Sequence, residues 1–137
     1  MQLRIKQKPY GPIFVKYDGS EVLQYADGKE AEFTVLQPVM SPVESLLAAL
    51  GACIILSMKM AARHYDVALN PFVVEVAGKK ASDLPMRLGH ADLKISGDVV
   101  SDPEVAANIA ARAKSICTVS NSLNCSVDLS LNASIDS

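Results

Sequence analysis

The sequence predicts an α+β fold, because segments with strand character and segments with helix character follow one another in blocks. Short β-prone segments come first, a long apolar helix begins at Pro42, and two strands, a second helix and a closing strand follow. The 137 residues, half of them apolar, are enough for one domain with a true core, which we expect to span 1–137. The formal net charge is −2 and the Lys and Arg residues are scattered, which gives no electrostatic footprint for nucleic acid.

The first third of the chain predicts a small antiparallel meander. Turn sequences that contain Gly, the first of them at 9–12, separate its β-prone segments. The segments are residues 3–8, 13–17, 21–25 and 32–36. Such a sheet is only marginally stable alone, so its apolar face requires a cover.

The long helix that begins at Pro42 is predicted to supply this cover. Ser41 suits the N-cap position, Pro42 the first helical position, and Glu44 completes a capping box. Residues 46–58 are apolar or small on every side, which predicts a buried helix. The uncharged stretch 45–58 is shorter than the roughly 20 residues of a membrane span, and the N-terminal residues lack a signal-peptide core, so we expect a cytoplasmic protein without a membrane partner.

Two more strands and a second helix are predicted after the long helix. The strands cover 72–77 and 87–96, with a polar turn between them. Asp102 and the proline after it are typical of a helix start, and the apolar periodicity continues to about Ile116. Cys117 is therefore expected at the end of the second helix.

The closing strand is predicted from strict alternation of apolar and polar residues that starts at Leu123. This alternation places Cys125 and every second residue after it on a core face. Residues 132–137 are expected to form a frayed tail.

Three cysteines in unlike settings are the candidate reactive residues. Cys53 lies in the long helix, Cys117 follows the second helix, and Cys125 lies in the last strand. They lack CxxC spacing, which argues against a secreted disulfide scaffold and against a zinc module. A cysteine in a helix is by default an inert apolar residue, and it becomes reactive only beside a group that stabilises its thiolate. His64 and His90 are expected to be surface or strand residues.

Two motifs give the chain a resemblance to a known family. One runs from Pro42-Val43-Glu44 to Cys53, and the other is Cys117-Thr118-Val119-Ser120-Asn121. They resemble the OsmC/Ohr family of thiol-dependent hydroperoxide reductases, named for osmotically induced protein C and organic hydroperoxide resistance protein. The second motif is close to the family's Cys-Pro-x-Ser-Asn. Glu44 is nine residues before Cys53, one fewer than in the best-characterised reductases, a spacing more like that of the YhfA-like branch.

The resemblance implies a fold, an assembly and a chemistry. The fold is OsmC-like, and the assembly is an intertwined homodimer in which the sheets of two chains combine around both central helices. The chemistry is reduction of an organic hydroperoxide, with Cys53 as the peroxidatic thiolate and Cys117 as its disulfide partner. An external dithiol restores both thiols, and no metal or organic cofactor is needed.

The resemblance also implies residues that support Cys53. Glu44 would pair with an arginine of the N-terminal sheet to steady the thiolate, and Arg4 is the arginine available before the helix. Apolar neighbours of Cys53 would favour an alkyl or lipid hydroperoxide over hydrogen peroxide. We expect these neighbours to be Leu46, Leu47, Leu50 and Ile54.

Two other functions fit the same residues. Because a shift of one residue turns a helical side chain by about 100°, the spacing of Glu44 also fits a non-catalytic dimer that binds a small apolar ligand or senses oxidation without turnover. In a purely structural or adaptor domain, Cys53 would be a packed core thiol and Glu44 only a capping acid. That third function predicts neither thiol reactivity nor an apolar pocket beside Cys53.

Overall fold

A computed structural model describes residues 6–37 and 41–131, and its elements follow the predicted α+β order. The described residues form one five-stranded sheet and three helices. The strands are β1 (Pro9–Tyr17), β2 (Gln24–Ala26), β3 (Phe72–Lys80), β4 (Leu88–Ser96) and β5 (Ser126–Leu131). The helices are α1 (Pro42–His64), α2 (Pro103–Ile116) and α3 (Thr118–Ser122).

The strand order in the sheet is β2-β1-β3-β4-β5. Neighbouring strands are antiparallel except for β4 and β5, which pair in parallel because α2 and α3 carry the chain back between them. Among the described residues β5 is therefore an edge strand, which pairs with β4 alone.

The N-terminal sheet is smaller than the predicted meander of four strands. Segment 21–25 contributes only part of the three-residue β2, and segment 32–36 contributes a single bridge between Thr34 and Tyr25. Residues 6–8 are not in a strand, and the rest of segment 3–8 lies outside the described residues, as does the predicted tail at 132–137.

The predicted turn at 9–12 is wrong, because these residues begin β1. The pairing of β1 with β3 shifts register between Tyr10 and Ile13. The Gly-Pro sequence between these two residues therefore forms a β-bulge or similar irregularity within the strand. Gly11 has a φ of 81°, and a Cβ there would lie 2.8 Å from the carbonyl oxygen of Val76. Only glycine fits this position. Gly11, which predicted a turn in the sequence, is therefore required by the bulge in β1.

The helix α1 covers one face of the sheet, as predicted. Its start matches the predicted cap, because the backbone N–H of Glu44 donates to Ser41 Oγ at 3.2 Å. Gly51 allows close contact with the strands, since a Cβ there would meet Val15 and Val76 at 2.8 and 2.9 Å. The large side chains that fill this interface are fully buried: Ile13, Leu47, Leu50, Ile54, Ile55, Met58, Val74, Leu93 and Ile95.

The prediction that α1 is buried on every side is wrong for one side. Leu46, Leu56 and Met60 are 37%, 50% and 59% exposed. With the partly buried Ala49 and Cys53 they follow alternating spacings of three and four residues, so they line up on one side of the helix. We call this line of Leu46, Ala49, Cys53, Leu56 and Met60 the open seam of α1.

The helix α1 has 23 residues and a mean hydropathy of 1.9, which is long and apolar enough to cross a membrane. The shortness of the uncharged stretch 45–58 therefore does not exclude a membrane span for the whole helix. Burial distinguishes the two cases, since 56% of its most apolar window is covered by the protein itself. This is the burial of a core helix.

The second half of the chain agrees closely with the prediction. Asp102 Oδ1 accepts hydrogen bonds from the backbone N–H groups of Glu104 and Val105 at 2.9 and 3.5 Å, which caps α2. The helix ends at Ile116 as predicted. The short helix α3 was not predicted, and the closing strand starts at Ser126, just after Cys125.

Candidate functional site

The fold brings Cys53 and Cys117 together, although sixty-four positions separate them in the sequence. Cys53 lies in the middle of α1, whereas Cys117 occupies the turn between α2 and α3 and flanks both helices. Both α2 and α3 pack against α1, so this turn is held against the middle of the long helix. Cys53 is close enough to Cys117 to affect the ionisation of the Cys117 thiol.

The thiol of Cys117 is fully buried, with 0% of the residue exposed. Burial raises the pKa of this thiol to about 11; hydrogen bonding at Ser120 lowers it, and the neighbouring Cys53 raises it. At neutral pH Cys117 is therefore a protonated thiol. A negative charge on Cys53 therefore makes the Cys117 thiol harder to ionise, because the two like charges repel.

A small polar area surrounds Cys117 inside the apolar core. Ser57 and Ser120 are the buried polar residues of the described chain, and both interact with Cys117. Ser57 is one helical turn after Cys53 and so lies on the same side of α1. Ser57 was not among the predicted site residues, although it is the one hydroxyl residue between 46 and 58.

The thiol of Cys53 is half-buried and lies in the open seam of α1. The predicted apolar neighbours of Cys53 need correction, since Leu47, Leu50 and Ile54 are fully buried against the sheet and cannot line an accessible surface. Leu46 remains, and the seam adds Leu56 and Met60, which are exposed.

Glu44 lies at the start of α1, where its carboxylate is hydrogen-bonded to the side chain of the cap residue and to the backbone of β1. Its Oε1 accepts a hydrogen bond from Ser41 Oγ at 3.2 Å, and its Oε2 accepts one from the N–H of Gly11 at 3.4 Å. Nine helical residues place it about 13 Å along the axis from Cys53 and half a turn around it. Within residues 6–37 and 41–131 no salt bridge involves Glu44. Arg4, its predicted partner, lies outside the described residues, so their pairing stays a prediction.

The remaining candidate residues, Cys125, His64 and His90, lie in other elements than Cys53 and Cys117 or at their ends. Cys125 precedes β5 and is half-buried, and burial raises the pKa of its thiol. His64 is exposed at the end of α1, with its ring edge-on to Tyr65 at 5.2 Å between centroids. His90 is a strand residue, as expected, and lies on β4.

Comparison of this chain with known proteins identifies a matching protein family. The family described as OsmC-like protein matches residues 37–132, a region that contains both cysteines. None of the curated proteins matches the sequence significantly.

Solved structures share the whole fold. The organic hydroperoxide resistance protein OhrB of Bacillus subtilis is 17% identical and has a TM-score of 0.59, with 93% of this chain and 98% of that chain covered. An organic hydroperoxide resistance protein OsmC from Legionella pneumophila is 15% identical, with a TM-score of 0.59 and coverage of 95% and 98%. An OsmC-like protein of unknown function from Vibrio cholerae is 11% identical, with a TM-score of 0.57 and coverage of 93% and 99%. At these identities the likeness establishes an OsmC-like fold and not an activity.

Proposed function

Because this chain belongs to the OsmC-like protein family, we propose that it is a cysteine-based reductase of organic hydroperoxides. The observation that carries the proposal is the contact between Cys53 and Cys117, two thiols that only the fold brings together. Two proteins of the same fold, from Bacillus subtilis and Legionella pneumophila, are named as organic hydroperoxide resistance proteins. Placement in the YhfA-like branch stays a prediction.

In the first step the Cys53 thiolate attacks the distal oxygen of the hydroperoxide. An S–O bond forms, the O–O bond breaks, and the departing alkoxide takes a proton and leaves as the alcohol. Cys53 becomes a sulfenic acid. The role falls to Cys53 because its side chain is partly accessible, whereas Cys117 is fully buried and holds its proton at neutral pH.

In the second step the sulfur of Cys117 attacks the sulfur of Cys53. The S–S bond forms, the S–O bond breaks, and the leaving hydroxide takes the Cys117 proton and departs as water. Conversion of the Cys53 thiolate to a neutral sulfenic acid removes the like charge that raises the pKa of Cys117. The first step therefore makes the second thiol easier to ionise.

The cycle closes with an external dithiol, whose two thiols are oxidised to a disulfide while Cys53 and Cys117 are reduced. Such cycling requires a reducing compartment, which supports a cytoplasmic location. The proposal retains Glu44 and Arg4 as the acid and cation that steady the Cys53 thiolate, which requires Arg4 to bridge the roughly 13 Å along α1 between Glu44 and Cys53.

The substrate class follows from the surface around Cys53. Leu56 offers exposed apolar area about one helical turn from the thiol, and Leu46 and Met60 extend this area about two turns away in each direction along the open seam. Each buried CH₂ of a substrate contributes about 0.8 kcal/mol, so an alkyl or lipid hydroperoxide should bind better than hydrogen peroxide.

The open seam also supports a homodimer. Its alternating three- and four-residue spacing is the pattern by which one helix packs against another, and its three large side chains are left partly exposed by the described residues. We expect Leu56→Glu to convert a dimer to a monomer in light scattering at micromolar concentration. Leu84→Glu, at an equally exposed residue far from the seam in sequence, should stay dimeric. A wild-type monomer would contradict the dimer.

Steady-state consumption of peroxide tests the function. With a dithiol reductant in excess, we expect many turnovers of cumene hydroperoxide per chain and a much lower kcat/KM for hydrogen peroxide. A chain that consumes one equivalent and stops would instead be an oxidation sensor. The hydrogen bond that Glu44 accepts from Ser41 Oγ favours this second candidate, because it gives the carboxylate a role at the helix start.

A further inference from the structure

A second cluster of reactive side chains lies on the outer face of the sheet. On β4 the residues that face α1 are Ala91, Leu93 and Ile95, which are buried, so His90 and Asp92 point to the opposite face. The parallel register of β5 places Ser126 beside His90 and Asp128 beside Asp92.

The geometry of this cluster is compatible with a set of metal ligands. His90 Nε2 lies 3.0 Å from Asp92 Oδ1 and 3.4 Å from Asp128 Oδ2, and the three ligand atoms lie within 4.8 Å of one another. A tetrahedral zinc ion with bonds of roughly 2.0 Å holds its ligand atoms about 3.3 Å apart. Small side-chain rotations would therefore suffice to admit the ion.

Ser126 supplies the support that a ligating histidine requires. Its hydroxyl is hydrogen-bonded to His90 Nδ1. When Nδ1–H donates to this hydroxyl, Nε2 carries a lone pair and faces the two carboxylates. Three acceptors that converge in this way repel one another unless a proton on Nε2 or a cation lies between them.

We propose that His90, Asp92 and Asp128 bind one Zn²⁺ ion, with water in the fourth position. Imidazole nitrogen favours zinc over magnesium or calcium, and the carboxylates neutralise its charge. The ligands come from both β4 and β5, so the ion would clamp the edge strand to the sheet. The site uses no cysteine and is independent of the proposed thiol chemistry.

Calorimetric titration with Zn²⁺ tests the site. The full chain with Cys53→Ser, Cys117→Ser and Cys125→Ser prevents competition from thiols, and the reduced wild type serves as a second background if that variant folds poorly. We expect one ion per chain, a rise in melting temperature with Zn²⁺, and visible absorption when Co²⁺ replaces it.

Matched substitutions distinguish this site from adventitious binding. His90→Gln should abolish binding, Asp92→Asn and Asp128→Asn should each weaken it strongly, and Ser126→Ala should weaken it by about tenfold. His64→Gln removes the other histidine of the chain and should change nothing. Equal affinity in the wild type and His90→Gln, or no binding by a folded chain, would overturn the proposal and leave the cluster as a surface ion pair.

Discussion

The thiol pair and the His90 cluster differ in what the surrounding protein contributes. Cys117 lies in the core, where loss of water raises the pKa of its thiol to about 11 and a single neighbouring charge matters. His90, Asp92 and Asp128 lie on a solvated sheet face, where water weakens each charge interaction and the strand register sets their distances. The comparison shows that burial tunes reactivity at the first cluster, whereas geometry alone defines the second.

The largest expected effect is the loss of hydroperoxide reduction when the thiol pair is changed. Cys53→Ser should abolish consumption of cumene hydroperoxide with a dithiol, because no sulfenic acid forms. Cys117→Ser should instead stop at the sulfenic acid, which a dimedone probe and mass spectrometry would detect. Cys125→Ser is the matched control and should keep turnover. A disulfide that contains Cys125 in the oxidised wild type would contradict this division of roles.

The next effect is a dependence of stability on alkaline pH. The Cys117 thiol ionises near its ordinary pKa of 9.0 in the unfolded chain but keeps its proton to about 11 in the folded chain. The folded state thus binds the proton more tightly, so this stabilisation is present below pH 9.0 and is lost as pH rises toward 11. Relative to Cys117→Ser, the wild type should lose up to about 3 kcal/mol of unfolding free energy. Urea denaturation with a reductant measures it, and parallel profiles would contradict the burial effect.

A smaller effect is expected from the polar contact beside the buried thiol. Ser57→Ala removes a hydrogen bond that lowers the pKa of Cys117, so formation of the Cys53–Cys117 disulfide should slow by up to about fivefold while sulfenic acid forms at the wild-type rate. Rapid mixing with one equivalent of hydroperoxide and peptide mapping would follow both steps. Ser115→Ala, at an exposed serine of α2, is the control. Equal slowing of both steps would indicate general damage to the site.

The smallest effect is expected at Glu44, which lies at the solvated end of α1. Glu44→Gln should slow alkylation of Cys53 at neutral pH by severalfold, because the loss of charge loosens the proposed Arg4 partner. Melting temperature should change little, since Gln also serves in a capping box. The pH dependence of alkylation in a Cys117→Ser, Cys125→Ser background measures it. Superimposable curves would leave Glu44 as a helix cap and favour the sensing function.

Helix starts and strand alternation were readable from the sequence because they depend on neighbours a few residues apart. The cap at Ser41 and the cap at Asp102 both formed where predicted, since each satisfies backbone N–H groups within its own first turn. The alternation after Leu123 likewise identified the core face of β5. The family motifs then marked Cys53 and Cys117 as candidates, without revealing Ser57 as a neighbour.

Long-range placement was decided only by the tertiary structure. The contact of Cys53 with Cys117 depends on how the turn after α2 packs on α1, and the meeting of His90 with Asp128 depends on the parallel register of β4 and β5. The alternation His90-Ala91-Asp92 was visible in the sequence, but nothing in it indicated which strand would lie beside it. Such contacts form only when the whole core closes, because the entropy cost of joining distant segments is offset by the packing of all of them together.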